Sequence, residues 1–319
     1  MEIRPGLHRI PAPLGERFVA LYLLLGTEHG LLIDTGIRES VTDTLLPYLA
    51  AQGIGVDRIT WAITTHCDFD HTGGSGAVRA VAPHVLFLAH ADDRAMTEDV
   101  EALIEGRYGE FRDTDGFDDP PELTAHIREV TQLVGVDRAV THGEELDLGG
   151  RTVRILHVPG HSPGHLAVHD AANGALLIGD ATLGATVMTS DGRPAFPPTY
   201  RDVDPYLASI SLFESLAPEL LLTAHYPVYE GDGVGEFLRE SRAYVARVDE
   251  VVLQELERRS APVATLDLVH ATAGRLGAWG AAASEYLIFP MTGNLERLEA
   301  QGRVRSDRSG SLRTWAVAT

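Results

Sequence analysis

The chain has 319 residues, 44% hydrophobic and 23% charged, an ordinary globular composition with enough apolar material for a core without disulfide staples. Its formal net charge of -20 argues against nucleic acid as a main partner, because an acidic surface repels phosphate backbones. The single cysteine, Cys67, rules out an internal disulfide and suits a reducing cytoplasm.

The charge is uneven. Of 26 basic and 46 acidic residues, 11 of each lie in 236–319, which leaves 15 basic against 35 acidic before that point. Every basic residue is arginine, which reads as compositional bias. The stretch Met1 to Pro5 has no signal-peptide core, and the apolar run near Leu21–Leu25 is too short to span a bilayer. A cytoplasmic protein with a small-molecule substrate and no membrane partner is expected.

In chain order, Phe18–Leu25 and Leu31–Ile33 read as strands, the second ending at Asp34-Thr35-Gly36. Ser40 is placed as the N-cap of a helix through Leu45 and Leu49 that Gly53 closes. Ile59–Thr64 is a buried strand, His66–Gly76 a polar loop, and Val85–Ala89 a further strand. Residues 92–134 are acidic and helical in pattern, interrupted at Asp113–Pro121. They form either a solvated insertion or a wall over the site.

β signals return at Leu146–Leu148, Val153–Val158, Leu166–His169 and Leu176–Ile178, the last ending at Gly179-Asp180. A helix over Pro205–Leu216 leads into the strand Leu220–Thr223, which ends at His225. From about Glu236 the pattern becomes helix, helix, helix and hairpin, with an apolar stripe at Val245, Val248, Val252 and Leu256. That order suggests a winged-helix module. The expected domains are 1–235 and 236–319. The Gly-, Asp- and Pro-rich stretches 112–121 and 230–240 are the expected protease-sensitive points.

The chemistry concentrates in Thr64-Thr65-His66-Cys67-Asp68-Phe69-Asp70-His71-Thr72-Gly73-Gly74, with four potential ligands in six residues. Three further segments also run from an apolar strand into a ligand: Pro159-Gly160-His161-Ser162-Pro163-Gly164-His165, Leu177-Ile178-Gly179-Asp180 and Leu221-Leu222-Thr223-Ala224-His225. A rigid sheet offers metal ligands in this way, from loops beyond strand ends. Cys67 alternates in direction with His66 and Asp68, so it is expected to pack away from them. Gly73 and Gly74 read as turn-formers.

The order and spacing of these four segments resemble the metallo-β-lactamase superfamily over roughly residues 1–235. The resemblance implies an α/β fold, an αββα sandwich, here followed by a small C-terminal helical, winged-helix-like domain. It implies two divalent metal ions, expected to be zinc. One site would be His66, Asp68 and His161, and the other Asp70, His71 and His225, with Asp180 bridging. His165 resembles the family histidine that orients a ligand. Asp68 departs from the family's usual histidine. It adds a hard oxygen donor that favours iron or manganese relatively more, and Asp68→His is expected to bind zinc at least as well.

The implied activity is a hydrolase. A metal-bridging hydroxide would attack an ester, thioester, lactone or amide carbonyl, with Asp70 orienting the nucleophile. Alternatives are a di-iron redox enzyme, motivated by Asp68, and a nuclease or nucleic-acid regulator. The last is motivated by Arg303, Arg305, Arg308 and Arg313 facing only Asp307. Tyr22, Phe69, Tyr200, Tyr226 and Tyr229 lie near the expected site by chain position.

Overall fold

The N-terminal strands β1 (Glu2–Arg4), β2 (Leu7–Leu14), β3 (Arg17–Leu25) and β4 (Gly30–Ile33) follow one another antiparallel in a computed structural model that describes residues 1–318. β5 (Ile59–Ile63), β6 (Leu86–Ala89) and β7 (Arg138–Ala139) continue the same sheet in parallel, giving seven strands in sequence order. β2 escapes the sequence pattern because it contains Pro11 and Pro13, which cannot donate to a ladder. Both pair with β3 alone, opposite Ala20 and Phe18, beyond the reach of β1, where an edge tolerates proline.

The second sheet is built from β8 (Glu145–Asp147), β9 (Thr152–His157), β10 (Leu166–Asp170) and β11 (Ala175–Gly179). After a small hairpin, β12 (Val187–Met188) and β13 (Pro194–Phe196), it is completed by β14 (Leu220–Thr223) and β15 (Tyr229–Glu230). Its order is β15-β14-β11-β10-β9-β8, with β11 and β14 parallel. The two sheets face each other across one apolar layer: Leu24, Leu31, Ile33 and Ile63 meet Ile155, Val168, Leu177 and Leu222. The opposite face of the first sheet packs Leu21, Leu23, Leu32 and Phe87 with Leu49 and Val78 of the helices Leu46–Gln52 and Ser75–Val81. That of the second packs Leu156, Leu176, Ile178 and Leu221 with Tyr206, Ile210 and Phe213 of the helix Val203–Leu216. The result is an αββα sandwich. Strands buried on both faces read as unbroken apolar runs, as β3, β11 and β14 do.

Ser40 is not a cap. The helical segment begins with a π-helical stretch, Ser40–Leu45, and the buried Ser40 hydroxyl accepts from the Ile37 N–H at 3.1 Å. Gly53 does end the helix, at φ 67.

Residues 92–134 form short helical pieces, among them Arg94–Glu98, Val100–Leu103, Ile104–Tyr108, Arg112–Asp115 and Pro121–Val130. They are tied to the C-terminal part. Arg313 places its guanidinium on Asp115 at 2.7 and 3.0 Å and on Glu296 at 2.7 Å, while Thr265 also donates to Asp115. Arg201 joins Glu110 to Glu296. Arg313 is thus a buried structural residue, which removes it from the exposed basic surface suggested by the sequence; Arg303, Arg305 and Arg308 are exposed.

The C-terminal part consists of the helix Asp232–Glu257, the strand β16 (Val263–Ala264), the helices Thr265–Leu276, Ala281–Ser284 and Ile288–Ala300, and the hairpin β17 (Val304–Asp307) and β18 (Thr314–Val317). Its sheet order is β16-β18-β17. The change of composition at 236 falls inside a continuous helix whose first turns bury Val234, Phe237 and Leu238. The stretch 230–240 is therefore not the loose link its glycines suggest. Likewise 112–121 is pinned by Asp115 and by the buried Phe117. Among the described residues, no helix is long and apolar enough to cross a membrane.

Candidate metal centre

Every chemically loaded segment sits where a buried strand ends. β5 delivers His66, Asp68, Asp70 and His71, the last two on the single turn Phe69–Thr72. The loops after β9, β11 and β14 deliver His161, Asp180 and His225. Their side chains converge into three overlapping groups with metal-ligand spacing: His66, Asp68 and His161; Asp70, His71 and His225; and His66, His71 and Asp180. His225 Nε2 lies 3.4 Å from Asp70 Oδ2 and 3.2 Å from Asp180 Oδ2, and His71 Nε2 lies 3.6 Å from Asp180 Oδ2. All seven sequence-derived ligands are therefore brought to one place.

The imidazole tautomers show what the cluster is built to hold. Each of the four histidines has its Nδ1 beside an oxygen outside the cluster. The His71 Nδ1–H donates to Asp34 Oδ2 at 2.8 Å, that of His161 to the Thr199 carbonyl at 3.1 Å and that of His225 to the Phe18 carbonyl at 2.8 Å. His66 Nδ1–H donates to the Thr65 hydroxyl at 3.0 Å, which donates onward to Asp34 at 2.9 Å. With the Nδ1–H groups placed on these oxygens, every Nε2 faces into the cluster, the arrangement that metal-ligating histidines adopt. His66 Nε2, His71 Nε2 and Asp180 Oδ1 are buried without a hydrogen-bond partner. Three stranded acceptors in one buried cluster are costly unless a cation satisfies them, so these residues fit a divalent ion.

Asp34 was missed as a functional residue. It sits at φ 59, a conformation rare outside glycine, at the end of β4. From there its two oxygens accept from Thr65 N–H, Thr65 Oγ1 and His71 Nδ1. The signal in the sequence was an aspartate ending an apolar strand with no helix to cap. Asp93 was also missed: it accepts from Ser162 Oγ at 2.5 Å and Gly164 N–H at 2.7 Å and so shapes the His161 loop. His165 lies outside the ligand groups. It stacks on His66 at 4.7 Å, and its Nε2 accepts from the Asp180 N–H at 3.2 Å. Cys67 is fully buried, its thiol pushed up by that burial, and belongs to none of the groups.

Asp68 has a partner the sequence did not reveal. Arg107, 4% exposed, donates from Nε to Asp68 Oδ1 at 2.8 Å and from Nη2 to Oδ2 at 3.3 Å. The same Nη2 lies 3.1 Å from His161 Nε2, and Asp68 Oδ2 lies 3.0 Å from that nitrogen. Burial alone would raise the Asp68 carboxyl, but the guanidinium outweighs it and holds the group well below the usual range. Burial and the neighbouring His71 drive His66 down to about 3, so it is neutral at pH 7.

The cluster opens into a cavity walled by Phe69, Leu183, Val187, Phe196 and Phe289, and on the insertion side by Arg107, Tyr108, Asp119, Leu123 and Ile127. Residues 92–134 are thus a wall of the site. Of the aromatics singled out by chain position, only Phe69 lines it. Tyr22, Tyr200 and Tyr226 are core, and Tyr229 stacks on Phe237. Asp119 is the odd polar group there: one oxygen accepts from the Tyr286 hydroxyl at 2.5 Å, and the other is buried and unpaired.

Burial pushes the Asp119 carboxyl up to about 6, from an ordinary value of 3.8, against the opposing Tyr286 bond. A raised carboxyl favours folding in its protonated form, so this stability is full below about pH 4 and is lost as pH rises through 6. Asp119→Asn keeps the acceptor for Tyr286 and never ionises. Relative to the parent it should gain about 1–2 kcal/mol between pH 4 and 7, discounted for partial solvent access. Denaturant unfolding at several pH values checks this. A stability difference that stays constant across that range contradicts it.

Two facing sheets flanked by helices, with a His/Asp cluster at the strand ends, define the protein's class as an αββα sandwich with a candidate metal centre at one edge. Residues 14–225 match the family model of the metallo-beta-lactamase superfamily, and the chain belongs to that superfamily. Among curated relatives it is similar to the human acyl-coenzyme A thioesterase MBLAC2, with 25% identity over 244 residues, 71% of this chain and 78% of the relative. It is also similar to a hydroxyacylglutathione hydrolase of Rhodospirillum rubrum, with 27% identity over 179 residues, 56% of this chain and 52% of that one. Among solved structures, a metallo-beta-lactamase family protein from Thermus thermophilus shares the fold at TM-score 0.77 and 23% identity, covering 99% of both chains.

Proposed function

We propose that this metallohydrolase cleaves thioesters with a small, mainly apolar acyl group. The observation that carries the reading is the cluster's position on the floor of a cavity whose walls are chiefly apolar. The relatives named for thioester hydrolysis agree with it. Divalent ions at His66, Asp68 and His161 and at Asp70, His71 and His225, with Asp180 between them, would supply Lewis acidity and an activated water. We assign zinc first, with iron or manganese made more competitive by Asp68.

The chain's own residues do the rest. Phe69, Leu183, Val187, Phe196 and Phe289 hold the acyl chain and exclude water from the reacting carbonyl. Asp70 and Asp180 line the cavity, and an Asp70 oxygen would orient the attacking water by accepting its hydrogen bond. His165, through the Asp180 backbone, fixes that side chain. The C-terminal module, which we assign as winged-helix-like from about residue 236, supplies Phe289 and Tyr286 to the cavity wall rather than a nucleic-acid surface.

The test is a substrate panel at equal metal loading: short acyl thioesters, their oxygen-ester counterparts, a lactone, a β-lactam and an alkyl sulfate. Thioesters are expected to lead in kcat/KM by at least about tenfold, roughly 1.4 kcal/mol of transition-state preference. Turnover of another class with inert thioesters would sink the reading.

A further inference from the structure

We propose that Arg107 makes the two metal positions unequal. Its guanidinium engages the donors of the His66–Asp68–His161 side, so a cation fills the Asp70–His71–His225 side first and enters the other only by displacing Arg107 from His161. The inference rests on the metal-centre assignment and is independent of the thioester reading.

The two halves differ in one respect that matters for a cation. At the first, Arg107 Nη2 lies 3.1 Å from His161 Nε2 and 3.3 Å from Asp68 Oδ2, while Nε holds Asp68 Oδ1 at 2.8 Å. The His161 Nδ1–H is directed at the Thr199 carbonyl, so the Nε2 lone pair is the electron pair a metal would use. The guanidinium Nη2 lies 3.1 Å from that nitrogen, and the Asp68 Oδ2 that Arg107 also holds lies 3.0 Å from it. Of the first half's donors, only His66 Nε2 is left stranded. At the second half, Asp70 and Asp180 face the imidazoles of His71 and His225, and among the described residues no arginine forms an ion pair or hydrogen bond with them. His71 Nε2 and Asp180 Oδ1 are both stranded there.

Arg107 is also held in place from outside the cluster. It comes from the helical turn Ile104–Tyr108 of the insertion, and its guanidinium lies over the Phe289 ring of the C-terminal part at 4.8 Å. Buried like charges repel strongly in a low-dielectric site. A metal beside this guanidinium is therefore disfavoured twice, by repulsion and by competition for the same lone pairs. Asp68 accommodates both cations only by giving Oδ1 to Arg107 and Oδ2 to the metal. This is the structural meaning of an aspartate where a histidine would have served a metal alone.

The test is titration of the chelator-stripped full chain with Co(II), followed by calorimetry and by the cobalt visible spectrum. The parent should bind in two steps, with the second at least about tenfold weaker. Arg107→Met keeps the apolar stem against Phe289 and removes the charge, and the gap should close to within about threefold. Arg107→Lys keeps the charge and should keep the gap. Equal steps in the parent, or an unchanged gap in a folded Arg107→Met, would overturn the inference. If Arg107→Met does not fold, Arg107→Gln is titrated in its place, and a gap unchanged there overturns the inference. A parent that binds no metal at all would instead overturn the metal-centre assignment.

Discussion

Asp68→Ala should be the most destabilising single change at this site. It leaves the Arg107 guanidinium buried at 4% exposure with its paired carboxylate gone. Breaking a buried ion pair from one side costs about 3–5 kcal/mol, because the surviving charge has neither water nor partner. In a chain of this size that corresponds to a melting temperature lower by roughly 6–15 °C. Adding Arg107→Met to Asp68→Ala should recover at least half of the loss, since it removes the stranded charge. The check is denaturant unfolding of the two single variants and the double variant on metal-free protein. A loss under about 1 kcal/mol in Asp68→Ala, or no recovery in the double variant, contradicts the pairing.

The same geometry changes the expectation for Asp68→His. On the sequence alone it restores a common ligand set. In the structure it also takes the carboxylate from Arg107 and sets an imidazole against a guanidinium, so stability should fall even if a metal still binds. Thermal melts with and without zinc would show a deficit that zinc only partly reverses.

Asp180→Ala should instead strike function while sparing the fold. Asp180 Oδ2 faces His71 and His225 at 3.6 and 3.2 Å, and its other oxygen is buried and unpaired. Among the described residues it is the carboxylate grouped with His66 and His71 and also facing His225, so at least one metal should be lost and kcat/KM should fall about 100- to 1000-fold, a few kcal/mol of transition-state stabilisation. The backbone N–H of residue 180 still donates to His165, and the strand β11 is untouched. Elemental analysis with parallel turnover checks this. Full metal content with parental turnover contradicts the bridging role.

How much of this was legible in the sequence follows from which forces are local. Strands ending in histidine or aspartate are local patterns, so β5, β11 and β14 could be read directly, and with them the residues His66 to His71, Asp180 and His225 that the fold brings together. The two-faced burial of β3 was visible as an unbroken apolar run. The prolines of β2 hid a strand, because their tolerance depends on where β1 stops, a tertiary fact. Arg107 was illegible for the same reason. It lies 39 residues from Asp68 along the chain, in a segment whose charge pattern suggests a solvated helix, and only the folded insertion buries it. Arg313 was misread as surface charge because its acids, Asp115 and Glu296, lie outside its own hairpin. Asp34 was overlooked because a left-handed aspartate looks like any turn residue until the histidine it holds is in view.

In a metallohydrolase of this family with its cation held by these imidazoles and carboxylates, His71 is expected to be indispensable. The most direct test is elemental analysis of protein purified without added metal, in the parent and in His71→Ala. The parent chain should carry at least one transition-metal ion, and a folded His71→Ala should lose it. A metal-free parent with full hydrolytic activity, or a His71→Ala that keeps the parental metal content, would contradict it.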